Sequence, residues 1–202
     1  MKPPVRTAAS RGLVMVLPER WLRSLPRVRV PTDYQLRVLQ EGEEGVYEAL
    51  LRTTVSAEED GVLEWTLRHA LPGGIFLMIH RPTGVPAATA AALHNPGHGG
   101  IYFPFGGALA NVRVLPEHKN RGLTYACLLS ALARLHQAGY RHVHVEVEEG
   151  RCASTRRFLM MGFVPYLGVP GAEGRWKKFC KALDWPFSPE KWPGSAPAPR
   201  SP

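Results

Sequence analysis

The chain has 202 residues, 45% of them hydrophobic and 21% charged, enough for one folded domain with extensions and too apolar for a wholly disordered chain. Its formal net charge is +8, which raises nucleic acid as a partner until the charge is located. Lys2, Arg6, Arg11, Arg20, Arg23, Arg27 and Arg29 face Glu19 alone in the first thirty residues, and a basic end with neither interleaved aromatics nor a reader motif argues against specific nucleic-acid binding.

Residues 1–30 read as an irregular basic arm. The apolar run 13–17 is too short for a secretory core, and no stretch approaches a membrane span. Pro3, Pro4, Pro18 and Pro26 break the amphipathic helix that an organellar transit peptide needs. Cys127, Cys152 and Cys180 are odd in number and lack metal-ligand spacing, which fits a reduced, cytoplasmic protein.

From residue 31 the pattern becomes regular. Residues 34–40 (YQLRVLQ) alternate as a strand. Residues 43–52 place Val46 with Leu50, and Tyr47 with Leu51, at helical spacing. Ser56-x-x-Glu59 is a capping box opening a second helix through Leu63, Leu67 and Ala70. Pro72-Gly73-Gly74 ends that helix. Residues 75–80 (IFLMIH) and 85–93 read as a hairpin across the turn 81–84, followed by a glycine-rich loop over 95–100 that has His94 and His98 nearby.

The informative stretch is 108–163. A strand over 108–114 (ALANVRV) stops at Leu115-Pro116. A basic loop, Glu117 to Gly122, then opens a helix over 123–138, whose Leu128, Leu132 and Leu135 share a face and whose C-cap is Gly139. Gly122 is read as lying in the first helical turn. Unpaired N–H groups and the positive dipole end favour an anion such as a pyrophosphate there. Lys119 and Arg121 oppose the dipole, so an anionic guest explains them better than capping does. Val143, Val145 and Val147 then alternate as a strand, and residues 151–161 form a helix closed by Gly162-Phe163. Residues 165–167 and 175–182 read as two closing strands around a loop at 168–174.

At these residues the chain resembles the GNAT superfamily of acyl-CoA-dependent N-acyltransferases. The family's strand ends in Val-x-Pro, here Val114-Leu115-Pro116. Its Arg/Gln-x-x-Gly-x-Gly/Ala helix opening corresponds to Lys119-Asn120-Arg121-Gly122-Leu123-Thr124. Lys119 replaces Arg/Gln, Thr124 the second small residue, and in the following helix Arg151, Ser154 and Phe158 stand in the Asn, Ala and Tyr slots. The resemblance covers 34–183. It implies an α/β (mixed α+β) fold with a central, mostly antiparallel sheet of about seven strands flanked by about four helices. The domains are then an arm at 1–30, a GNAT-like acyltransferase domain at 31–184 and a Pro/Ser-rich tail at 185–202. In that tail Trp185, Phe187 and Trp192 fold back on the core and 195–202 is disordered.

The resemblance also implies acetyl-CoA as cosubstrate. Val112 and Val114 would contact its pantetheine arm through their backbones, and Lys119, Asn120, Arg121, Gly122, Leu123 and Thr124 its pyrophosphate. The expected activity is transfer of an acetyl or other acyl group to a primary amine by direct attack in a ternary complex. Glu146 and Glu148 share the polar face of the 143–147 strand with His142 and His144. That face holds a general base or is simply solvated, and a metal reading of His142, His144 and Glu146 lacks further ligands. Phe158 has no hydroxyl to protonate a departing thiolate. Tyr166 is the alternative donor, unless it is a core tyrosine. The other reading is a non-catalytic GNAT-like module that binds acyl-CoA or a protein. The amine acceptor is not legible, no membrane is implied, and a homodimer is admitted.

Overall fold

The computed structural model describes residues 12–54, 61–95 and 106–193. Its first strand, β1 (Leu13–Leu17), has all five side chains buried. An unbroken apolar run of this kind suits a strand covered on both faces. This corrects the reading of the stretch as part of an irregular arm: the prolines flank the strand and do not interrupt it. A short helix α1 (Glu19–Leu22) follows, with Leu22 buried.

Next come β2 (Tyr34–Val38), α2 (Glu44–Thr54), α3 (Val62–His69), β3 (Ala70–His80), β4 (Pro86–His94) and β5 (Gly106–Val114). The chain continues through α4 (Leu123–Gln137), β6 (His142–Val147), α5 (Cys152–Met160), β7 (Val164–Pro165) and α6 (Ala172–Leu183). The seven strands form one sheet in the order β2-β3-β4-β5-β6-β1-β7. Every pairing is antiparallel except β5 with β6. The mostly antiparallel mixed sheet of seven strands is as expected, with six helices among the described residues rather than about four.

Three elements differ from the sequence reading. Residues 175–182 are helical, within α6. Ala172, Trp176, Phe179, Cys180 and Leu183 are its buried positions, a spacing of three and four that belongs to a helix. The place of the expected closing strand is taken by β1, from the other end of the chain. Pro72-Gly73-Gly74 lies inside β3, where the pairing with β4 shifts register between Ala70 and Ile75. The helix therefore ends at His69, before that tripeptide. The capping box and most of the glycine-rich loop lie outside the described residues, as does 195–202. Trp185 and Phe187 pack against the core, and Trp192 is buried within it.

The sheet divides two cores. On one face α4 and α6 cover Leu13, Met15, Leu17, Ala88, Ala90, Ala92, Leu109, Val143, Val145 and Val147. On the other, Tyr47, Leu50 and Leu51 of α2 cover Ile75, Leu77, Ala91, Leu93 and Ala108. The alanines of β4 let both layers sit close. At Gly107 of β5 a Cβ would lie 2.4 Å from Cδ2 of Leu135, so any larger residue there would require Leu135 of α4 to shift.

Candidate functional site

The site is built where the one parallel pair comes apart. Its register runs Gly106↔His142, Gly107↔Val143, Ala108↔His144 and Leu109↔Val145, and stops there. Just beyond, β5 carries an extra residue. Between Thr89↔Arg113 and Ala91↔Ala110 it takes three steps against two on β4. Asn111 sits in that bulge at φ 50. A bulge bends its strand and adds twist, so the end of β5 leaves β6. The flank of Val112–Val114 away from β4 is thus not paired with β6.

At the mouth of this opening β5 passes through a 3-10 turn (Pro116–His118) to α4. Asn120 (φ 61) and Gly122 (φ 76) both adopt the left-handed conformation. Gly122 is therefore the N-cap of α4, outside its first turn, a correction to the sequence reading. No side chain caps α4, and its first i→i−4 bond runs from Ala126 N–H to the Gly122 carbonyl. The earlier N–H groups face outward, as at any uncapped N-terminus. Nothing lies within 4 Å of a Cβ built on Gly122, so the space above it is open. Lys119, Asn120 and Arg121 are exposed around it, whereas Leu123 and Thr124 turn their side chains inward and offer only backbone.

The loop is braced from the far edge of the sheet. The Tyr34 hydroxyl lies 2.8 Å from Nδ1 of His118, and the His80 ring lies tilted beside both, with centroids 5.2 Å from Tyr34 and 4.9 Å from His118. Burial, then the neighbouring His80, hold the His118 imidazole below its ordinary value of 6.5. This brace went unrecognised in the sequence, because its three rings are distant along the chain.

The expected catalytic side chains are only partly brought together. Glu146 pairs with Val14, and Tyr166 N–H donates to the Val14 carbonyl, so the two flank Val14 in one row across β6, β1 and β7. Alternation from Val145 and Val147, which join the α4 core, puts Glu146 on the α2 face. Its carboxylate accepts the Gly12 N–H. Glu148 is exposed beyond the end of β6 and paired to Arg151 at 2.6 Å. Tyr166 is half-buried, its ring folded over Gly168. Phe158 is buried, edge-on to Phe163 with centroids 5.3 Å apart. Burial pushes the Cys127 thiol up to about 12, and among the described residues no group of three metal-binding side chains converges.

A polar cluster beneath α2 and α3 also went unrecognised. Asn111 Nδ2 donates to Tyr47 Oη at 2.9 Å and to Thr66 Oγ1 at 2.7 Å. Tyr47, Thr66 and Thr89 have no exposed surface. The signal available in sequence was Asn111 itself, a turn-favouring residue in an otherwise strand-forming run.

A model of the acetyltransferase (GNAT) family matches residues 43–163. A GCN5-related N-acetyltransferase from Sphaerobacter thermophilus is similar in structure, with TM-score 0.56 and 17% identity over 77% of this chain and 49% of its own. A GNAT-family protein from Novosphingobium aromaticivorans gives TM-score 0.57 and 19% identity over 82% and 65%. AAC(6')-Iy, in complex with the bisubstrate analog CoA-S-monomethyl-acetylneamine, gives TM-score 0.50 and 19% identity over 65% and 90%. The chain thus spans about half the length of the Sphaerobacter protein. No curated protein sequence matches it significantly.

Proposed function

Because the chain belongs to the acetyltransferase (GNAT) family, we propose that it transfers an acetyl group, or another acyl group, from acyl-CoA to a primary amine by direct attack in a ternary complex. The observation that carries this is the parting of β5 from β6 beyond Leu109↔Val145, directly beside the open Gly122 turn. One slot thereby offers strand backbone to a pantetheine arm and helix N–H groups with two cations to a pyrophosphate. That AAC(6')-Iy is complexed with a CoA-linked analog supports the same use of this fold here.

In this reading the backbone N–H groups of the bulged strand polarise the acyl oxygen. Glu146 draws the proton from the amine, directly or through water. Tyr166, across Val14 from it, returns a proton to the thiolate that Phe158 cannot serve. Glu148, exposed and tied to Arg151, is the weaker candidate for the base. The three free cysteines accord with a reducing, cytoplasmic setting.

The test is calorimetric titration with acetyl-CoA, followed by thiol release from acetyl-CoA with a panel of amines. Binding with turnover, lowered in Glu146→Gln and in Tyr166→Phe, supports the reading. Absence of binding at millimolar acetyl-CoA overturns it. The buried Phe158 favours a second reading, a module that binds acyl-CoA without turning it over. Tight binding with no thiol release for any amine selects it.

A further inference from the structure

We propose that Asn111 is the positioning residue for the acyl group, its amide tying the bulge of β5 to Tyr47 of α2 and Thr66 of α3. The inference rests on the acyl-CoA reading above and concerns what holds the open slot in shape. Asn111 occupies φ 50, a left-handed conformation that is strained for most side chains and that asparagine tolerates best after glycine. Both hydrogens of its side-chain amide are used, on Tyr47 Oη and Thr66 Oγ1. Neither acceptor has exposed surface, so bulk water does not reach either one while the amide is in place. Burial pushes the Tyr47 hydroxyl up to about 12, which keeps it a neutral acceptor near neutral pH.

The geometry has a direct consequence for the slot. Pairing of β5 with β6 ends at Leu109, and Asn111 lies two residues on, in the bulge across which the open flank begins. The next backbone N–H, that of Val112, takes its direction from the peptide plane the amide holds. Two helices of the opposite layer thus set the aim of the group that meets the acyl oxygen. The pyrophosphate turn at Gly122 lies outside this network. A substitution at Asn111 should therefore leave the pyrophosphate contacts, which CoA and acetyl-CoA share, in place and disturb the aim of the strand backbone at the acyl group.

The test compares acetyl-CoA with CoA by titration calorimetry, in wild type, Asn111→Gly and Thr66→Val. Glycine keeps the positive φ and removes the amide. Thr66→Val removes one acceptor, keeps the volume and leaves β5 untouched. Wild type is expected to bind acetyl-CoA more tightly than CoA. Asn111→Gly should hold CoA within about threefold of wild type and lose at least fivefold of the preference for the acetylated form. Thr66→Val should lose part of it, with circular dichroism showing both variants folded. An undiminished preference in folded Asn111→Gly and Thr66→Val overturns the clamp and leaves the acyl-CoA reading standing. If Asn111→Gly does not fold, Thr66→Val alone decides. Wild type that binds neither ligand overturns the underlying reading, and wild type that binds both equally overturns the acyl-positioning role.

Discussion

The strongest energetic claim concerns Met15, at the centre of β1. It has no exposed surface and pairs with Val145 of β6 on one side and Pro165 of β7 on the other. Met15→Ala removes three heavy atoms from the core. At about 0.8 kcal/mol per methylene-sized group, the transfer cost is roughly 2.4 kcal/mol. The cavity left in the core on that face of the sheet adds to it, giving about 2.5–4 kcal/mol in all. A chain of this length loses about 2–4 °C of Tm per kcal/mol, so a drop of roughly 5–16 °C is expected. Val28→Ala, at a position 37% exposed, is the control and should stay within about 0.5 kcal/mol of wild type. Urea unfolding of all three proteins measures the effect. If Met15→Ala matches the control, β1 is no part of the sheet, and residues 13–17 revert to the dispensable arm that their basic, proline-bearing surroundings suggest.

Gly122→Glu should abolish acetyl-CoA binding by calorimetry. At φ 76 it should also destabilise the fold by about 1–2 kcal/mol, where Gly122→Ala shares the strain without the charge and keeps measurable affinity. The folded-state value of His118 lies below its ordinary 6.5, so the unfolded chain binds the proton more readily. The contribution is fully present above pH 6.5 and lost as pH falls through the lower folded value. The urea midpoint should therefore fall from pH 7.5 to 5.5, and fall less in His118→Gln. Trp192→Ala removes a buried ring that meets Phe187 edge-on at 5.2 Å and should cost about 3–5 kcal/mol; a thermal melt unchanged from wild type would free the C-terminal segment from the core.

Local sequence was sufficient for the elements around the opening. The Leu128, Leu132 and Leu135 spacing specifies α4, the valine alternation specifies β6, and Lys119 to Gly122 mark a basic turn between strand and helix, because each property is set by residues within a few positions of one another. Even there Gly122 was misplaced by one structural position. Whether a glycine caps a helix or begins it depends on a dihedral angle, and side-chain pattern does not report that angle. Residues 175–182 show a different failure. Read alone they tolerate a strand, whereas taken from Ala172 to Leu183 the buried positions repeat at helical spacing.

What the sequence determined by itself was the family, the strand–turn–helix–strand order around α4 and the composition of the basic turn. Tertiary structure decided the rest. The strand between β6 and β7 comes from the N-terminus, because a short apolar run carries no record of which sheet edges will bury it. The same holds for Asn111: its place at the branching of β5 depends on hydroxyls from α2 and α3, which lie 64 and 45 positions away. Contacts over such separations are selected by the packing of whole layers, and only the folded chain brings their partners within hydrogen-bond reach.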